Sequence, residues 1–212
     1  MAEWTYALAS VADLKQVVSI DSLNTGQDSV LELVIKRTSE SIETYCQRHF
    51  VTRGEITEYH TPLSYCADLY LGQYPVIAIT SVKEGSWSGG AWTVGLTLTA
   101  NSDYLLASNS GRLLRMSAGA SAFWPMGLDA VQVAYTAGYA DTASVPGPIK
   151  DVCLSVAARK YSQIRRGGDF SAQSSTDAMG TVSRFLPADL LSLDQKQLYP
   201  WRQIVQSTTG RR

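Results

Sequence analysis

Hydrophobic and polar positions follow a helical period in three stretches of this chain. Apolar residues recur there every three or four positions, which is typical of one buried helix face. The spacing predicts helices over residues 10–19, 28–48 and 148–166. Ser10 and Asp13 have the spacing of a capping box, and Pro148 suits a first helical turn, where a missing N–H has no intrahelical partner. Gly167 and Gly168 are natural stops for the third helix.

Between residues 51 and 139 the period changes to two, which is typical of half-buried strands. Short segments rich in β-branched and aromatic residues alternate there with Gly, Pro, Ser and Asn. The predicted strands are EITEYHT, DLYL, VIAITSVKE, AWTVGLTLT, DYLLA, GRLLRM and AVQVAYT. Consecutive short strands with tight turns favour a mostly antiparallel β-sheet or a small barrel, with GSWSGG as the tip of a long hairpin.

The stretch from Val131 to Val152 joins the last predicted strand to the third helix. Tyr135 ends the alternating pattern, Gly138 breaks the strand, and Pro146 and Pro148 flank the helix start. None of these side chains is reactive. We expect Tyr135, Gly138, Pro146 and Pro148 to form a structural corner between sheet and helix.

The C-terminal part of the chain changes character twice. Residues 169–185 are rich in Gly, Ser and Thr and predict a flexible linker, whereas residues 186–212 are apolar again, with Pro187 at a possible helix start. Such an end suits a docking segment, either on a partner or on its own domain. The predicted fold is therefore α+β: a core domain over residues 1–168, the linker, and an extended C-terminal tail.

Composition narrows the class of protein. The 212 residues are 45% hydrophobic and 17% charged, which is enough for a genuine core. With 18 basic and 19 acidic side chains, a tight non-specific grip on nucleic acid is not indicated, although DNA passing nearby is not excluded. The apolar runs are too short to span a membrane, and from the first residues we expect no signal peptide. Its three cysteines suit a reducing compartment such as a bacterial cytoplasm.

The chain offers no credible catalytic set. It contains no P-loop, no G-x-S-x-G elbow and no G-x-G-x-x-G motif. One arrangement resembles a metal site, but its Cys-to-His spacings do not match a zinc finger. It consists of Cys46, His49, His60 and Cys66. We expect no enzymatic activity and no cofactor, and keep a small metal- or ligand-binding domain as the alternative from a different class.

Two groups of aromatic residues are candidates for binding surfaces. Trp87 and Trp92 flank the predicted hairpin tip, where we expect contact with another chain. Phe123 and Trp124 lie in the loop SAGASAFWPMGL, and we expect them to cover one end of the sheet.

The order of these features resembles a known protein family. The features come in a fixed order along the chain. They are a short helix at SVADLKQ, a long helix ending IETYCQRHF, YPVIAITSVKEGS, a DYLL and GRLLRM pair, VQVAYTAGYAD, VPGPIKDVCLSVAARKYSQIRRG and a terminal LYPWR. This arrangement is similar to that of the head–tail connector proteins of tailed double-stranded DNA bacteriophages, also called adaptor or head-completion proteins. The resemblance covers about Ser10 to Arg166 and the end of the chain.

The resemblance implies a non-enzymatic virion protein, made in the host bacterial cytoplasm and located in the virion neck. Such proteins form a ring, commonly dodecameric, under the portal vertex, extend the DNA channel and carry the stopper or tail. The implied partners are the portal protein, a stopper or tail-completion protein, further copies of the chain, and double-stranded DNA passing through the lumen without sequence-specific binding; no membrane is implied. The implied portal-docking set is Leu186, Leu190, Leu191, Tyr199, Trp201 and Arg202. Another neck component, a stopper or tail-completion protein, is the alternative.

Overall fold

The computed structural model describes residues 5–88, 90–165 and 190–203. Its fold is α+β, as the sequence predicts. All seven predicted strands are present, and the short strand β7 was not predicted. The elements are α1 (Val11–Val17), α2 (Asp28–Cys46), β1 (Glu55–His60), β2 (Asp68–Tyr70), β3 (Val76–Ser88), β4 (Ala91–Leu98), β5 (Tyr104–Ala107), β6 (Arg112–Ser117), β7 (Ala120–Ser121), β8 (Val131–Ala137), α3 (Gly147–Arg165), α4 (Ser192–Leu198) and a 3-10 turn (Tyr199–Trp201).

The described chain clusters in two compact units. Residues 5–47, 141–165 and 190–202 form the first, which we call the helical unit, and residues 48–140 with Gln203 form the second, the β unit. The β unit is therefore inserted between α2 and α3. The predicted linker, residues 169–185, lies outside the described residues, so the division into a core over 1–168, a linker and a docking segment stays a prediction.

Helix α1 begins with the predicted capping box. The N–H of Asp13 donates to Ser10 Oγ at 3.1 Å, and the N–H of Ser10 donates to the Asp13 carboxylate at 3.4 Å. Two N–H groups that lack intrahelical partners are thereby satisfied. In the last turn of α1, Lys15 is almost fully buried and its Nζ lies 2.7 Å from Asp28 Oδ1, so an ion pair joins α1 to the start of α2.

Helices α2 and α3 supply the core of the helical unit. Most positions of the predicted apolar stripes are buried, including Leu31 and Ile35 from α2 and Ala157 and Tyr161 from α3. Ile164, the last position of the predicted α3 stripe, is exposed. Ser39 lies on the buried face of α2, where its Oγ accepts from the N–H of Leu8 at 3.1 Å and lies 3.8 Å from the Cys153 thiol. Burial raises the pKa of Cys153 to about 12, so this thiol stays protonated and unreactive.

The β unit contains two antiparallel sheets. One has the strand order β1-β8-β3-β4, and the other has the order β2-β6-β5, with β7 paired to β6. Neither closes into a barrel within the described chain, so of the two predicted forms the open sheet is the one observed. Both sheets contribute to one hydrophobic core, whose members are Leu69, Leu71, Val76, Val82, Leu98, Tyr104, Leu113, Trp124, Val131, Val133, Tyr135 and Ala137.

Gly138 allows the chain to leave β8 close to another segment of the β unit. Its φ is +108°, and a Cβ there would lie 2.8 Å from the carbonyl oxygen of Phe50 and 2.9 Å from the amide nitrogen of Thr52. Tyr139 also pairs with this segment, because its N–H donates to the Phe50 carbonyl at 2.6 Å. Both the backbone angle and the close approach require glycine.

We expect Gly138→Ala to lower the free energy of unfolding by about 2–4 kcal/mol, because the new methyl group adds a clash to backbone strain. Gly54→Ala is the matched control for strain alone, since its φ is +97° and no atom lies within 4 Å of the added Cβ. We expect it to cost about 1 kcal/mol. Chemical denaturation measures both, and equal losses would show that the close approach to Phe50 does not matter.

Candidate interaction surface

The β3–β4 hairpin carries two tryptophans on facing positions. Trp87 on β3 pairs with Trp92 on β4, one step before the last pair, Ser88 with Ala91. Trp87 is half exposed, whereas the Trp92 ring packs over Gly85 and contacts the Tyr59 ring edge to face, with centroids 5.7 Å apart. The two predicted tip residues therefore lie together, with different exposure.

Asp129 holds this hairpin in place. The Trp87 indole N–H donates to Asp129 Oδ2 at 3.1 Å, and the Trp92 indole N–H donates to the Asp129 carbonyl oxygen at 2.9 Å. Thr61 Oγ donates to Asp129 Oδ1 at 3.2 Å and accepts from its N–H at 2.9 Å. One residue just before β8 thus connects the hairpin to the loop after β1.

The hairpin also depends on Gly85, which faces a β-bulge. Glu84 pairs with Leu96 but Gly85 pairs with Val94, which leaves Gly95 as the extra residue on β4. A Cβ on Gly85 would lie 2.3 Å from the Thr93 carbonyl oxygen and 2.5 Å from the Trp92 ring. Sequence reasoning missed both Gly85 and Asp129, because their roles arise from contacts between distant positions.

A group of exposed apolar side chains lies next to this anchor, on the loops that precede β2 and β8. We call it the apolar end. Tyr65 and Phe123 contact each other edge to face, with centroids 5.7 Å apart. The loops are held together by backbone hydrogen bonds from Gly127 to Pro62 and from Trp124 to Cys66. The members and their exposed fractions are Leu63 66%, Tyr65 72%, Phe123 62%, Met126 49% and Leu128 69%.

Phe123 therefore does not cover the sheet as expected, although its neighbour Trp124, with 1% of its surface exposed, does lie in the core. The segments 61–67 and 118–128 contain no Lys, Arg, Asp or Glu. Aromatic residues and Met without charges are typical of the centre of a protein–protein interface, whereas phosphate binding needs basic groups. The apolar end therefore suits contact with a protein.

The C-terminal residues 190–202 pack on the helical unit. Arg159 on α3 forms an ion pair with Asp194, which also accepts from the N–H of Leu191 at 2.8 Å. Leu198 is fully buried, and the Tyr45 hydroxyl donates to the Gln195 carbonyl oxygen at 3.3 Å. The sequence left open whether this segment docks on a partner or on its own domain. In the structure, one side of α4 packs on its own domain.

Three apolar side chains on α4 and at its two ends are exposed. The exposed fractions are 42% for Leu191, 65% for Leu193 and 69% for Tyr199. Within the resemblance-derived set, Leu190 is buried, Trp201 is half-buried and the Arg202 guanidinium lies 5.2 Å from the Tyr45 ring centre; Leu186 lies outside the described residues. The structure thus separates this set into anchoring and exposed members, and adds Leu193 to the exposed ones.

The corner residues lie at the two ends of the segment that joins the units. Pro146 precedes α3, and its carbonyl oxygen accepts from the N–H groups of Ile149 and Lys150 at 3.0 and 3.2 Å; Pro148 lies in the first turn. Tyr135 is fully buried, and its hydroxyl donates to Glu58 Oε1 at 2.5 Å.

Glu58 is the centre of a partly buried polar network in the β unit. Besides Tyr135, it accepts from the N–H of Gly72 at 3.0 Å, and His60 Nε2 lies 3.4 Å from its Oε2. Burial by itself raises the pKa of Glu58, but these hydrogen bonds outweigh it and hold the pKa below the usual 4.5. Burial and the bond to Glu58 raise the pKa of Tyr135, which keeps its hydroxyl a donor.

The four residues of the possible metal site have different surroundings. Cys46 is buried on α2 in the helical unit, His49 is exposed, His60 contacts Glu58, and Cys66 is partly buried. Across the described ranges, no three His, Cys, Asp or Glu side chains form a group that could hold a metal ion. No described helix is long and apolar enough to cross a membrane.

The whole chain is similar in fold to proteins of gene transfer agent (GTA) particles. A chain from the neck of an empty GTA particle computed with C6 symmetry is 17% identical, with a TM-score of 0.57, and the match covers 100% of this chain and 98% of that one. A chain from the neck of a native GTA particle computed with C12 symmetry is 15% identical, with a TM-score of 0.57 and coverage of 100% and 97%.

A chain from the virion of a native GTA particle is 16% identical, with a TM-score of 0.55, and the match covers 94% of this chain and 91% of that one. No protein-family model and no curated protein matches the chain. At such identities the similarity shows a common fold.

We expect Asp129→Ala to release the hairpin, because it removes the acceptor of the Trp87 indole and disfavours the positive φ of 50° at this position. Hydrogen exchange of the amides in residues 85–94 should accelerate by about tenfold or more, in line with the loss of about 1–3 kcal/mol for a bond to a charged group. Asp129→Asn is the matched control, since Asn tolerates this φ and keeps one acceptor. Unchanged exchange in Asp129→Ala would contradict the anchoring role.

We expect Glu58→Gln to destabilise the protein by about 1–3 kcal/mol at pH 7, because a charged acceptor of buried donors is lost. A carboxylate with a lowered pKa stabilises the fold above its unfolded-state pKa and loses that contribution as pH falls through its folded-state pKa. The difference between wild type and Glu58→Gln should therefore shrink below the usual Glu pKa of 4.5. Urea titrations at several pH values measure it, with the exposed Glu55→Gln as control; a difference independent of pH would contradict this account.

Proposed function

We propose that this chain is a structural protein of the neck of a tailed, phage-like particle. The observation that carries the proposal is the end-to-end fold similarity to neck chains, which covers nearly all of both partners in each comparison. A similarity confined to one common module would support it far less. The order of sequence features, which resembles phage head–tail connectors, supports the same assignment independently.

The neck chains come from assemblies computed with C6 and C12 symmetry, which supports a ring of identical subunits for this chain as well. A ring contact is heterologous, so each subunit needs two different surfaces. The apolar end is suited to such a contact, because it is exposed, aromatic and free of charge.

We infer that the ring acts as an adaptor between the portal and the stopper or tail. In this role the exposed apolar side chains on α4 and at its two ends, Leu191, Leu193 and Tyr199, contact the portal, while Leu190 and Leu198 hold the helix on its own unit. Double-stranded DNA passes through the lumen without sequence-specific contacts. The net charge of -1 suits a conduit, since a strongly basic lumen would retain DNA that has to leave.

A stopper or tail-completion protein is the second candidate, because the fold similarity is to neck chains and is common to either role. The two roles differ in their neighbours: an adaptor contacts the portal directly, whereas a stopper or tail-completion protein does so only through other proteins. Binding to portal-bearing heads therefore distinguishes them.

We expect the double variant Leu193→Ala, Tyr199→Ala to bind DNA-filled, portal-bearing heads at least about tenfold more weakly than wild type, since exposed apolar anchors can each contribute 1 kcal/mol or more. Co-sedimentation of labelled protein with purified heads measures the binding. The fold should be preserved, because both side chains are largely exposed.

Leu23→Ala is the matched control for this experiment, since Leu23 is an exposed apolar residue of the same unit outside α4. It should bind like wild type. If wild type binds only heads that already carry another neck protein, the stopper role replaces the adaptor role. If the protein is absent from purified particles altogether, the neck assignment fails.

A further inference from the structure

Strand β4 has an open edge with little of the usual protection against pairing. It is the last strand of its sheet, and its eight residues, AWTVGLTL, include no charged residue and no proline. Residues 93–97 are all exposed, with half of the surface of Val94 and Leu96 open to solvent. Edge strands normally carry charges or prolines or are very short, because their free N–H and C=O groups attract further strands.

The edge strands of the second sheet are better protected. β2 has three residues and begins with Asp68, and β5 has four residues. β4 has one protective device, the bulge at Gly95, which interrupts its edge without adding charge. A strand edge of this length that is apolar and uncharged is suited to pairing with a strand from another chain.

The strand at the opposite edge of the same sheet, β1, runs in the direction needed for antiparallel pairing with β4. In the order β1-β8-β3-β4, every neighbouring pair is antiparallel, so β1 and β4 also run in opposite directions. When β4 of one subunit lies beside β1 of the next, their pairing is antiparallel, like every other pair in the sheet.

β1 is also open to such pairing along most of its length. Its carboxylate at Glu58 turns inward to Tyr135 and Gly72, so Glu55, at the start of the strand, is its exposed acid. The outward residues that follow, Thr57 and Tyr59, are of types that pack well between strands.

We propose that β4 of one subunit pairs with β1 of the next copy of this chain, so that the four-stranded sheets join around the ring. This inference rests on the proposed neck ring and specifies how its subunits are connected. β8 pairs with Val76–Glu84 of β3 and β4 pairs with Val82–Ser88, so the two edges are staggered along the strands. A closed arrangement of strands requires such a stagger, together with tilted strands.

Disulfide trapping in assembled particles tests this contact. Full-length chains carrying Thr57→Cys with Val94→Cys, or Thr57→Cys with Thr97→Cys, are made in a Cys66→Ser background, because the register places these positions on the same face of the sheet. Cross-strand neighbours lie within the Cα separation that a disulfide spans. After oxidation, at least one of the two pairs should give a ladder of covalent multimers of this chain, whereas the single-cysteine variants should give none.

Thr57→Cys with Leu105→Cys is the matched control, because Leu105 is exposed on β5, an edge of the other sheet. It should give no ladder. If both test pairs stay monomeric in particles that contain the protein at the wild-type level, or if β4 links only to a different protein, the strand pairing is wrong and the neck assignment stands. If the wild-type protein is absent from particles, the neck assignment itself fails.

Discussion

Backbone N–H and C=O groups that are removed from water need partners, and in the β unit this requirement is met around β8. β8 is hydrogen-bonded to β1 on one side and to β3 on the other, so it connects β1 to the β3–β4 hairpin. Its side chains Val131, Val133 and Tyr135 are fully buried and form much of the core shared with the second sheet. The strand therefore fixes both the hydrogen-bonded ladder and the packing.

The exposed surfaces depend on the two ends of this strand. Asp129 precedes β8 and holds the Trp87–Trp92 hairpin, and the apolar end lies on the loop that leads into Asp129. Gly138 follows β8 and passes against Phe50 and Thr52. Exposed binding residues are most effective on a rigid support, and here that support is a strand without reactive groups.

The elements were predictable because their signals are local, whereas the surfaces were not. The capping box of Ser10 and the buried stripe around Leu31 and Ile35 follow from spacing alone. Strand order, the bulge opposite Gly85 and the position of Glu58 follow from pairings between residues far apart in sequence. An exposed loop and a buried loop can have the same apolar composition. Neither the exposure of Phe123 nor its contact with Tyr65 could therefore be predicted from the sequence.

The insertion of the β unit between α2 and α3 has a consequence for biosynthesis. Residues 48–140 are contiguous, so this unit can begin to fold as soon as they leave the ribosome, whereas α2 has to wait for α3 to cover its apolar face. During this interval Leu31, Val34 and Ile35 are open to solvent and are sites where chaperones can bind. Residues 190–202, with the buried Leu198, are made after α3, so the helical unit is complete only once they have been added.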